Sequence, residues 1–532
     1  MLINSTGIFN ILPSRDGMRV IEGVERIQRD YSDYLRDESN YTGTGVEAIF
    51  FPKSLENIVY ALKLAAEKGK PITVSGGRTG ICAGAVPHGG FLISLERMTR
   101  ILGIEKRTDG YELKAQCGIR LNELSERLRA KNLGIHTDEG KEFEKAHVSY
   151  FYPPDPTETS ATLGGTVATN ASGARTFFYG PTRNYVVALE VVLPSGELLR
   201  VRRGDVREEN GYFAVEREEG SPLVIPAPGY HMPVVKHAAG FYSSEFMDLI
   251  DLFIGSEGIL GIIATVTIRL VEGPPPSFSA VTFFKDENDA LEFVIHSRKV
   301  ELKPLAIEYF DASSLSLLDE TRRYQGPMSE IPEIPGAGGA VYFESAYSEG
   351  DGLRGRISFW SKVIKDHGSN PNEAWCALTK RDISRMKYFR HALPECINSI
   401  IARHKQADPG IYKVGTDMAV PDEHLKEMVG YYRSQLCRSK IHHVIFGHVG
   451  NNHLHLNMIP ENYTELEEAK ALYMMFARKA VSLGGTVSAE HGIGKIKKEY
   501  LQVLFPEQAI EDMMRIKRTL DPENILNPDT ML

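Results

Sequence analysis

The chain has 532 residues, of which 42% are apolar and 25% are charged, and these are the proportions of a globular protein. This length exceeds that of an ordinary domain with one hydrophobic core and predicts two or three domains. A formal net charge of −9 without a long basic block excludes a nucleic-acid-binding surface. The five cysteines lie far apart without a C-x-x-C pair, which excludes zinc ribbons and iron–sulfur clusters within the chain.

The N-terminal stretch predicts no targeting segment. It lacks a basic region followed by an unbroken apolar core, so we expect no cleaved signal peptide. No apolar stretch reaches the length needed to span a bilayer. We expect a cytoplasmic protein, and peripheral contact with the inner face of the membrane stays open.

The first region of the chain alternates predicted helices and strands. Residues 54–68 place apolar side chains at helical spacing behind Ser54, a residue type that caps helices, and Gly69 ends the run. Strands on either side of the stretch S-G-G-R-T-G predict a β-α-β arrangement with a glycine turn. The predicted strands of this region cover 71–75, 90–95, 111–115, 185–193 and 261–270, and a further helix covers 121–129.

The region also contains a second glycine-rich zone and an insertion. The glycine-rich zone covers 153–180, and G-S-E-G-I-L-G precedes the last predicted strand. Residues 204–233 carry mixed charge, Gly and Pro without periodicity, which is typical of an inserted surface excursion. Its role as a lid or as decoration is left open.

A second domain is predicted from about Pro274, where P-P-P-S is typical of a linker. Longer helices alternate with strands beyond it, and residues 465–520 are mainly helical in pattern. The ending D-P-E-N-I-L-N-P predicts a docked terminal turn. The predicted strands are 280–284 and 339–345, and the predicted helices are 289–299, 355–365 and 386–405.

The glycine-rich stretches are candidate ligand loops. Glycine turns between strand and helix let backbone N–H groups approach a phosphate closely, because no Cβ intervenes. No Gly-Lys-Ser/Thr follows, which excludes a Walker loop. Each stretch alone is also compatible with a structural turn, but three of them in one α/β region predict a large phosphate-containing cofactor.

Four stretches resemble, in order, the FAD domain of the vanillyl-alcohol oxidase/p-cresol methylhydroxylase superfamily. The resemblance is closest to the branch of D-lactate dehydrogenase, glycolate oxidase and D-2-hydroxyglutarate dehydrogenase, and it extends from about residue 43 to the C-terminus. The stretches are P-I-T-V-S-G-G-R-T-G (71–80), P-P-D-P-T-E-T-S-A-T-L-G-G-T-V-A-T-N-A-S-G-A-R (153–175), Y-G-P-T-R-N-Y-V-V-A-L-E-V-V-L-P-S-G-E (179–197) and D-L-F-I-G-S-E-G-I-L-G-I-I (251–263).

The resemblance implies an α+β fold with two large parts. A p-cresol methylhydroxylase-type FAD-binding domain of two subdomains would cover 43–272 and include the insertion. A cap domain over 273–520 would carry the substrate and metal site on an antiparallel sheet flanked by helices. Residues 1–42 would form an N-terminal extension, and the C-terminal segment 521–532 would dock back on the FAD domain.

The resemblance also implies which residues bind FAD. The loop 75–80 would wrap the pyrophosphate, and the later stretches would line the flavin and its ribityl chain. This loop lacks the histidine to which some members attach flavin, so we expect non-covalent FAD. The implied residues are Ser75, Gly76, Gly77, Arg78, Thr79, Gly80, Pro154, Ser160, Gly164, Gly165, Asn170, Ser172, Gly173, Glu257, Ile262 and Ile263.

A histidine cluster stands near the C-terminus, in G-H-V-G-N-N-H-L-H-L-N and S-A-E-H-G-I-G. Strands over 444–448 and 453–459 with V-G-N-N between them predict a β-hairpin. His448, His453 and His455 then lie on one face, because side chains alternate along a strand. Together with Glu490 they can share a divalent cation, although single histidines are ordinarily core or surface residues.

The resemblance assigns roles within this cluster. His448, His455 and Glu490 would bind the divalent metal, and His491 would be the general base that accepts the substrate's hydroxyl proton. Asn451 and Asn452 stand where the family has Asp-Gly, and His453 where it has Asn. These departures leave open the turn geometry, a ligand role for His453 and the metal identity, namely zinc, manganese or iron.

The activity implied by the resemblance is oxidation of a D-2-hydroxy acid to the 2-oxo acid, with hydride transfer to FAD. Arg390 and Lys413 match the family's carboxylate-binding positions by order, and an ordinary surface role stays open for both. Electrons would pass to a quinone, cytochrome, iron–sulfur subunit or electron-transfer flavoprotein. An oxygen-using oxidase, an alkyl-glycerone-phosphate synthase, a non-catalytic flavoprotein subunit and a homodimeric state are alternatives left open.

Overall fold

The computed structural model describes residues 5–39, 41–323, 327–348 and 352–532. Within these ranges the residues before 273, the FAD-domain half, contain two larger sheets and one two-stranded sheet, and the residues from 273 onwards, the cap half, contain a seven-stranded sheet. The α+β fold with an antiparallel cap sheet is therefore confirmed.

The first sheet has four strands and contains the predicted β-α-β unit. Strands Thr44–Phe51 and Ile72–Ser75 both pair in parallel with the central strand His88–Ser94. Helix Leu55–Glu67 connects the two outer strands, and the Ser54 side chain caps it by accepting a hydrogen bond from Asn57 N–H. Strand Arg19–Glu22 pairs antiparallel with Thr44–Phe51 at the edge.

The second sheet is antiparallel and lies at the centre of the FAD-domain half. Its longest strand, Ile262–Glu272, pairs with strands on both sides, so the segment after G-S-E-G-I-L-G is buried in the middle of the sheet. The strand order is Gly7–Phe9, Leu198–Arg202, Val186–Val192, Ile262–Glu272, Gly110–Gln116 and Ile101–Arg107, and Tyr150–Phe151 pairs with the end of Ile262–Glu272.

The N-terminal residues are part of both sheets. Strand Gly7–Phe9 pairs with Leu198–Arg202, while Arg19–Glu22 forms the edge of the four-stranded sheet. Ile8 and Ile21 are buried there. Two strands of the segment 1–42, which the resemblance implies to be an N-terminal extension, therefore pair with edge strands of the FAD-domain half.

The insertion over 204–233 contains a β-hairpin of Tyr212–Val215 and Leu223–Pro226. Phe213 and Ile225 are fully buried, so the hairpin packs on the body of the domain. The chain then continues towards the cap, where Ala238 N–H donates to Ser488 O at 2.8 Å.

The cap sheet has seven strands, and every pairing in it is antiparallel. The long helix Lys380–Ala407 begins with a Thr379–Asp382 capping box and buries Phe389, Leu393 and Ile397. The strand order is Trp375–Ala377, Ser277–Phe284, Gly339–Ala346, Ala306–Asp311, His442–Gly447, His455–Ile459 and Val414–Gly415.

The remaining helices surround these sheets. In the part of the chain that the structure describes, no helix combines the length and apolarity required to cross a membrane. The FAD-domain half contains Val24–Asp30, Leu121–Arg129, Asp138–Lys145, Leu163–Ala168, Thr176–Tyr179 and Leu249–Phe253; the cap half contains Glu287–Ser297, Ala312–Arg322, Gly352–Asp366, Leu425–Leu436, Tyr463–Ser482, Lys498–Leu504 and Glu507–Leu520.

The C-terminal segment docks back on the FAD domain, as predicted. Ile72 N–H donates to Ile525 O at 2.6 Å, and Asn527 N–H donates to Ile72 O at 2.7 Å. The Asn527 side chain accepts a hydrogen bond from Val74 N–H at 2.7 Å and donates to Glu257 O at 3.2 Å. The segment thus pairs in parallel with the strand that leads into the loop 75–80.

We predict that Asn527→Ala destabilises the protein by roughly 1–3 kcal/mol, because it removes the acceptor of the Val74 N–H. Asn524→Ala is the matched control, since Asn524 has the same left-handed backbone in the same segment but an exposed side chain. Thermal unfolding measures the effect. Equal melting temperatures for the two variants would contradict the role given to the Asn527 side chain.

Candidate active site

The loop 75–80 lies directly against the second glycine-rich zone. A Cβ on Gly76 would come within 2.3 Å of Thr162 Oγ1, and one on Gly77 within 3.0 Å of Ser160 O. Both glycines are therefore required by the close approach of the two loops. A Cβ on Gly80 would meet only Asp37 Oδ2, at 3.8 Å, so this part of the loop borders open space.

Buried hydroxyl groups around these loops fit a polar cofactor. The side chains of Ser75, Ser94 and Ser172 are buried and have no hydrogen-bond partner among the described residues. Buried polar groups are normally hydrogen-bonded, so three such hydroxyls in one region are typical of a ligand-binding surface. Ser75 and Ser172 were predicted from the sequence, whereas Ser94, at the end of the strand His88–Ser94, was missed.

The other predicted FAD residues lie around the same loops. Asn170 has a left-handed backbone, and its side chain accepts a hydrogen bond from Arg183 N–H at 3.0 Å. A Cβ on Gly173 would come within 2.1 Å of Asp155 O, and one on Gly164 within 2.5 Å of the Cys117 Cβ. Ile262 and Ile263 pair with Val192 and Val191 inside the central sheet, and Pro154 is buried.

Glu257 has a structural contact that the sequence did not predict. Its carboxylate accepts hydrogen bonds from Ile493 N–H and Gly494 N–H, both at 2.7 Å. Burial raises the pKa of Glu257 to about 7, although the two backbone hydrogen bonds favour the ionised form. The side chain therefore joins the FAD domain to the loop that carries Glu490 and His491.

The predicted hairpin is present and carries the histidines. Strands His442–Gly447 and His455–Ile459 are antiparallel, with Phe446 opposite His455. The turn is a 3-10 segment, Val449–Asn451, followed by Asn452 at a left-handed φ of 51°. Asparagine tolerates this conformation better than most residues, so it serves where glycine is usual.

The Asn452 side chain fixes this turn. It donates to Asp422 Oδ1 at 2.8 Å and accepts a hydrogen bond from the buried Arg298. The departure from Asp-Gly at positions 451 and 452 therefore leaves a well-anchored hairpin.

In each of three histidines, one ring nitrogen lies near an acceptor outside the cluster. In His448 and His453 the other ring nitrogen faces Glu490. His448 Nδ1 lies 3.2 Å from Glu308 Oε1, and its Nε2 lies 3.3 Å from Glu490 Oε2. His453 Nε2 lies 2.9 Å from Asp417 Oδ1, and its Nδ1 lies 3.5 Å from Glu490 Oε2. His455 Nδ1 lies 3.3 Å from the carbonyl of Thr416.

This arrangement fits a divalent cation. One ligand atom from each of His448, His453, His455 and Glu490 lies within 4.8 Å of the others. The outer nitrogens of His448 and His455 are hydrogen-bonded to a carboxylate and a carbonyl, and that of His453 lies close to a carboxylate. Such acceptors typically orient the second nitrogen of a metal-binding histidine. The nitrogen-rich donor set with one carboxylate suits zinc, manganese or iron.

Neighbouring groups of the cluster have pKa values that are shifted in opposite directions. Burial alone would lower the pKa of His448, but the carboxylates of Glu308 and Glu490 outweigh it and raise the pKa to about 9. Burial and the charge of Lys236 lower the pKa of His453 to about 4. Burial opposes ionisation of Glu490, yet Lys236 and His448 hold its pKa well below the usual range.

Asp417 organises the residues behind the cluster and was missed from the sequence. Its Oδ2 accepts hydrogen bonds from Ser488 Oγ at 2.6 Å and from Lys497 Nζ at 2.8 Å. The same oxygen lies 3.2 Å from His491 Nδ1. Burial opposes its ionisation, but His491 and Lys497 hold the pKa of Asp417 well below its usual range. The stretch Y-K-V-G-T-D (412–417), which also contains Lys413, was the sequence signal that could have identified Asp417.

Arg390 lies on the other side of His448. Its Nε is 3.0 Å from Glu308 Oε1, and one terminal nitrogen is 3.9 Å from Glu344 Oε1. Arg175 Nε donates to the second oxygen of Glu344 at 2.8 Å. The structure thus links Arg390 to the histidine cluster through Glu308, a buried residue that sequence analysis missed.

Lys413, which is a predicted site residue, lies next to the cap sheet, whereas Lys236 lies at the histidine cluster. Lys413 is partly buried next to the edge strand Val414–Gly415, and burial lowers its pKa. Lys236 was not predicted as a site residue, but its Nζ lies 3.2 Å from Glu490 Oε2. No composition or motif signal marks it, because it lies in an irregular segment distant in sequence from the histidines.

We predict that Glu257→Ala loosens the loop 490–494, because two backbone N–H groups lose their acceptor. Hydrogen exchange of the Ile493 and Gly494 amides should become faster, with a loss of roughly 1–3 kcal/mol in opening free energy. Glu219→Ala, at an exposed position of the insertion, is the control. Unchanged exchange at both amides would refute the connection.

Comparison with known proteins agrees with this architecture. Residues 46–202 match the family described as FAD binding domain, and residues 274–531 match the FAD linked oxidases, C-terminal domain. The chain is also similar in fold to alkyldihydroxyacetonephosphate synthase, with a TM-score of 0.58 and 18% identity over 91% of this chain and 77% of that chain.

Curated relatives cover nearly the whole chain. D-lactate dehydrogenase of Anaerostipes hadrus is 29% identical over 93% of this chain and 92% of its own length. Glycolate oxidase subunit GlcD of Bacillus subtilis (strain 168) is 26% identical over 91% and 88%, respectively. D-2-hydroxyglutarate dehydrogenase of Xanthomonas citri pv. viticola is 27% identical over 94% and 92%. The two matched domains in tandem, the hydroxyl-lined glycine loops and these relatives show that the chain is an oxidoreductase of the FAD-linked oxidase family.

Proposed function

We propose that the chain oxidises a D-2-hydroxy acid of the lactate, glycolate or 2-hydroxyglutarate type to the 2-oxo acid. The observation that carries this proposal is the convergence of His448, His453, His455 and Glu490 beside His491. The hydroxyl and the carboxylate of a 2-hydroxy acid can together chelate a divalent cation that such a cluster binds. The names of the three relatives support the same substrate class.

The cluster is close to the FAD-binding loops. A Cβ on Gly450, in the hairpin turn, would come within 2.9 Å of the Phe177 ring. Phe177 belongs to the short helix Thr176–Tyr179, which directly follows the predicted flavin residues Ser172 and Gly173. Glu257 joins the two regions a second time, and together these contacts support one shared site.

The chemistry divides between the cofactors and the chain. When bound, FAD supplies the hydride acceptor, and a divalent cation on the histidine cluster supplies a Lewis acid for the hydroxyl. Asp417 accepts from His491 Nδ1, which leaves Nε2 as the atom that takes the hydroxyl proton. Asp417 also keeps this imidazole in one orientation while the proton moves.

Arg390 and Lys413 are proposed to bind the substrate carboxylate. A guanidinium has five N–H donors, so Arg390 retains donors after its contacts with Glu308 and Glu344. Those two carboxylates restrict the position and orientation of the guanidinium. Lys413 has an unpaired ammonium among the described residues, and its lowered pKa reflects burial alone.

The electron acceptor is proposed to be external, of the quinone, cytochrome, iron–sulfur-subunit or electron-transfer-flavoprotein kind.

An anaerobic screen tests the proposed oxidation of a 2-hydroxy acid: D-lactate, glycolate and D-2-hydroxyglutarate are added to the flavin-loaded protein while flavin absorbance is followed. We expect at least one acid to bleach the flavin. No bleaching by any 2-hydroxy acid favours a non-catalytic flavoprotein, and fatty-acid release from an acylated glycerone phosphate favours a synthase.

The same assay includes His455→Ala and an oxygen-electrode trace. His455→Ala should bind FAD normally, lose bound metal and fail to bleach with the active acid, because an inner ligand is gone. His442→Ala, on the exposed end of the neighbouring strand, is the matched control. An active, metal-free His455→Ala protein contradicts the metal role, and rapid oxygen uptake with substrate alone identifies an oxidase.

We predict that His491→Asn retains FAD and metal but reduces the rate of flavin reduction by about 10²- to 10⁴-fold, the range typical for loss of a general base. Single-turnover stopped-flow absorbance measures this rate directly. His442→Asn serves as the control for removing an imidazole. A rate equal to that of the unmodified protein would reject the assignment of His491 as the base.

A further inference from the structure

Lys236 lies inside the ligand cluster. Its Nζ is 3.2 Å from Glu490 Oε2 and 3.3 Å from His453 Nδ1, two of the atoms that face a bound cation. Its side chain is only 4% exposed. A lysine ammonium in this place has the charge of a small cation and contacts the same ligand atoms.

The backbone around Lys236 is held against the cluster. Two residues later, Ala238 N–H donates to Ser488 O at 2.8 Å, and Ala238 and Ala239 are buried. Lys236 itself comes from the FAD-domain half, between the insertion hairpin and the helix Leu249–Phe253. The contact with Glu490 is therefore built by packing between the two halves of the molecule.

Two other cations near the histidine cluster have carboxylate partners of their own. Arg390 is paired with Glu308, and Lys497 is paired with Asp417. Among the described residues, Glu490 is the carboxylate within ion-pair distance of Lys236. Lys236 and a bound metal thus depend on the same oxygen atom.

We propose that Lys236 is an internal competitor for the metal: its ammonium neutralises Glu490 while the cluster is metal-free, and it must move away when a divalent cation binds. This inference rests on the proposed function, in that it assumes a cation at the histidine cluster. Metal uptake is then an exchange of one cation for another, and Lys236 sets how tightly the metal is held.

Distance and charge support this exchange. Metal–ligand bonds to histidine and carboxylate are about 2 Å long, so a cation bound to both Glu490 and His453 must come close to Nζ. Like charges at such separations repel strongly in a buried site. Conversely, a buried Glu490 needs cationic partners, and Lys236 is one of them beside His448.

The test compares metal affinities of flavin-loaded variants, using Zn²⁺ and Mn²⁺ alone in competition with a chelator. Lys236→Met removes the charge while keeping a long apolar stem, and Lys236→Arg keeps the charge. Lys495→Met is the matched control, because Lys495 lies near Glu490 in sequence but donates to Val86 O at 2.6 Å. Lys236→Gln is the second neutral variant, and the flavin absorbance of each protein verifies that it is folded.

We expect Lys236→Met and Lys236→Gln to bind metal on the order of tenfold more tightly than the unmodified protein, with a larger melting-temperature increase on metal addition. Lys236→Arg should bind no more tightly, and Lys495→Met should change affinity by less than about twofold. Equal or weaker metal binding by both neutral variants overturns the proposal, as does an equal gain in Lys495→Met.

Failure of this inference is distinguishable from failure of the proposed function. Metal binding by Lys236→Met but not by the unmodified protein supports competition and refutes metal assistance in the natural chain. Absence of metal from both proteins, with flavin still bleached by a hydroxy acid, overturns the competition and leaves the oxidation. Tighter metal binding in Lys236→Met without bleaching in any protein supports the competition and refutes the oxidation.

Discussion

The site depends on the buried carboxylate of Glu490. A carboxylate removed from water needs cationic or hydrogen-bonding partners, and the structure brings several to it from separate parts of the chain. His448 and His453 approach from the hairpin, and Lys236 approaches from the FAD-domain half. The position of Glu490 therefore determines where both imidazoles and any cation can lie.

A second set of carboxylates fixes the outer side of the cluster. Glu308 joins His448 to Arg390, while Asp417 joins His453 and His491 to Lys497. Each histidine is thereby oriented by a partner that does not belong to the inner site. Such outer contacts matter because an imidazole that rotates freely presents neither a constant ligand atom nor a constant proton acceptor.

Local sequence patterns predicted single helices and hairpins, because residues close together in sequence determine these elements. The helix Leu121–Arg129 has the bounds expected from its apolar spacing, and the histidine hairpin follows from strand alternation around V-G-N-N. Three of the four residues at the ligand cluster were assigned through family motifs, and His453 was recognised as a competing ligand.

The remainder depends on contacts between residues that are distant in sequence. Lys236 is 254 positions from Glu490, and Glu308 is 140 positions from His448, so no spacing rule connects them. Gly76 and Gly77 illustrate a different limit. Their residue type is explained by contact between two loops, and the sequence pattern cannot separate that requirement from contact with a phosphate.

The two halves of the molecule meet at the loop 488–494, which carries site residues and also contacts the FAD-domain half. From the FAD-domain half, Glu257 binds its backbone, Lys236 binds Glu490, and Ala238 binds Ser488. From the C-terminal segment, Met531 N–H donates to Gly494 O at 2.7 Å. The loop that carries Glu490 and His491 is thus positioned by these residues together with Asp417 of the cap half, which accepts hydrogen bonds from Ser488 Oγ and the His491 backbone N–H. Since the histidines lie at the turn end of a hairpin of the cap sheet, their position relative to Glu490 depends on the packing of the cap half against the FAD-domain half.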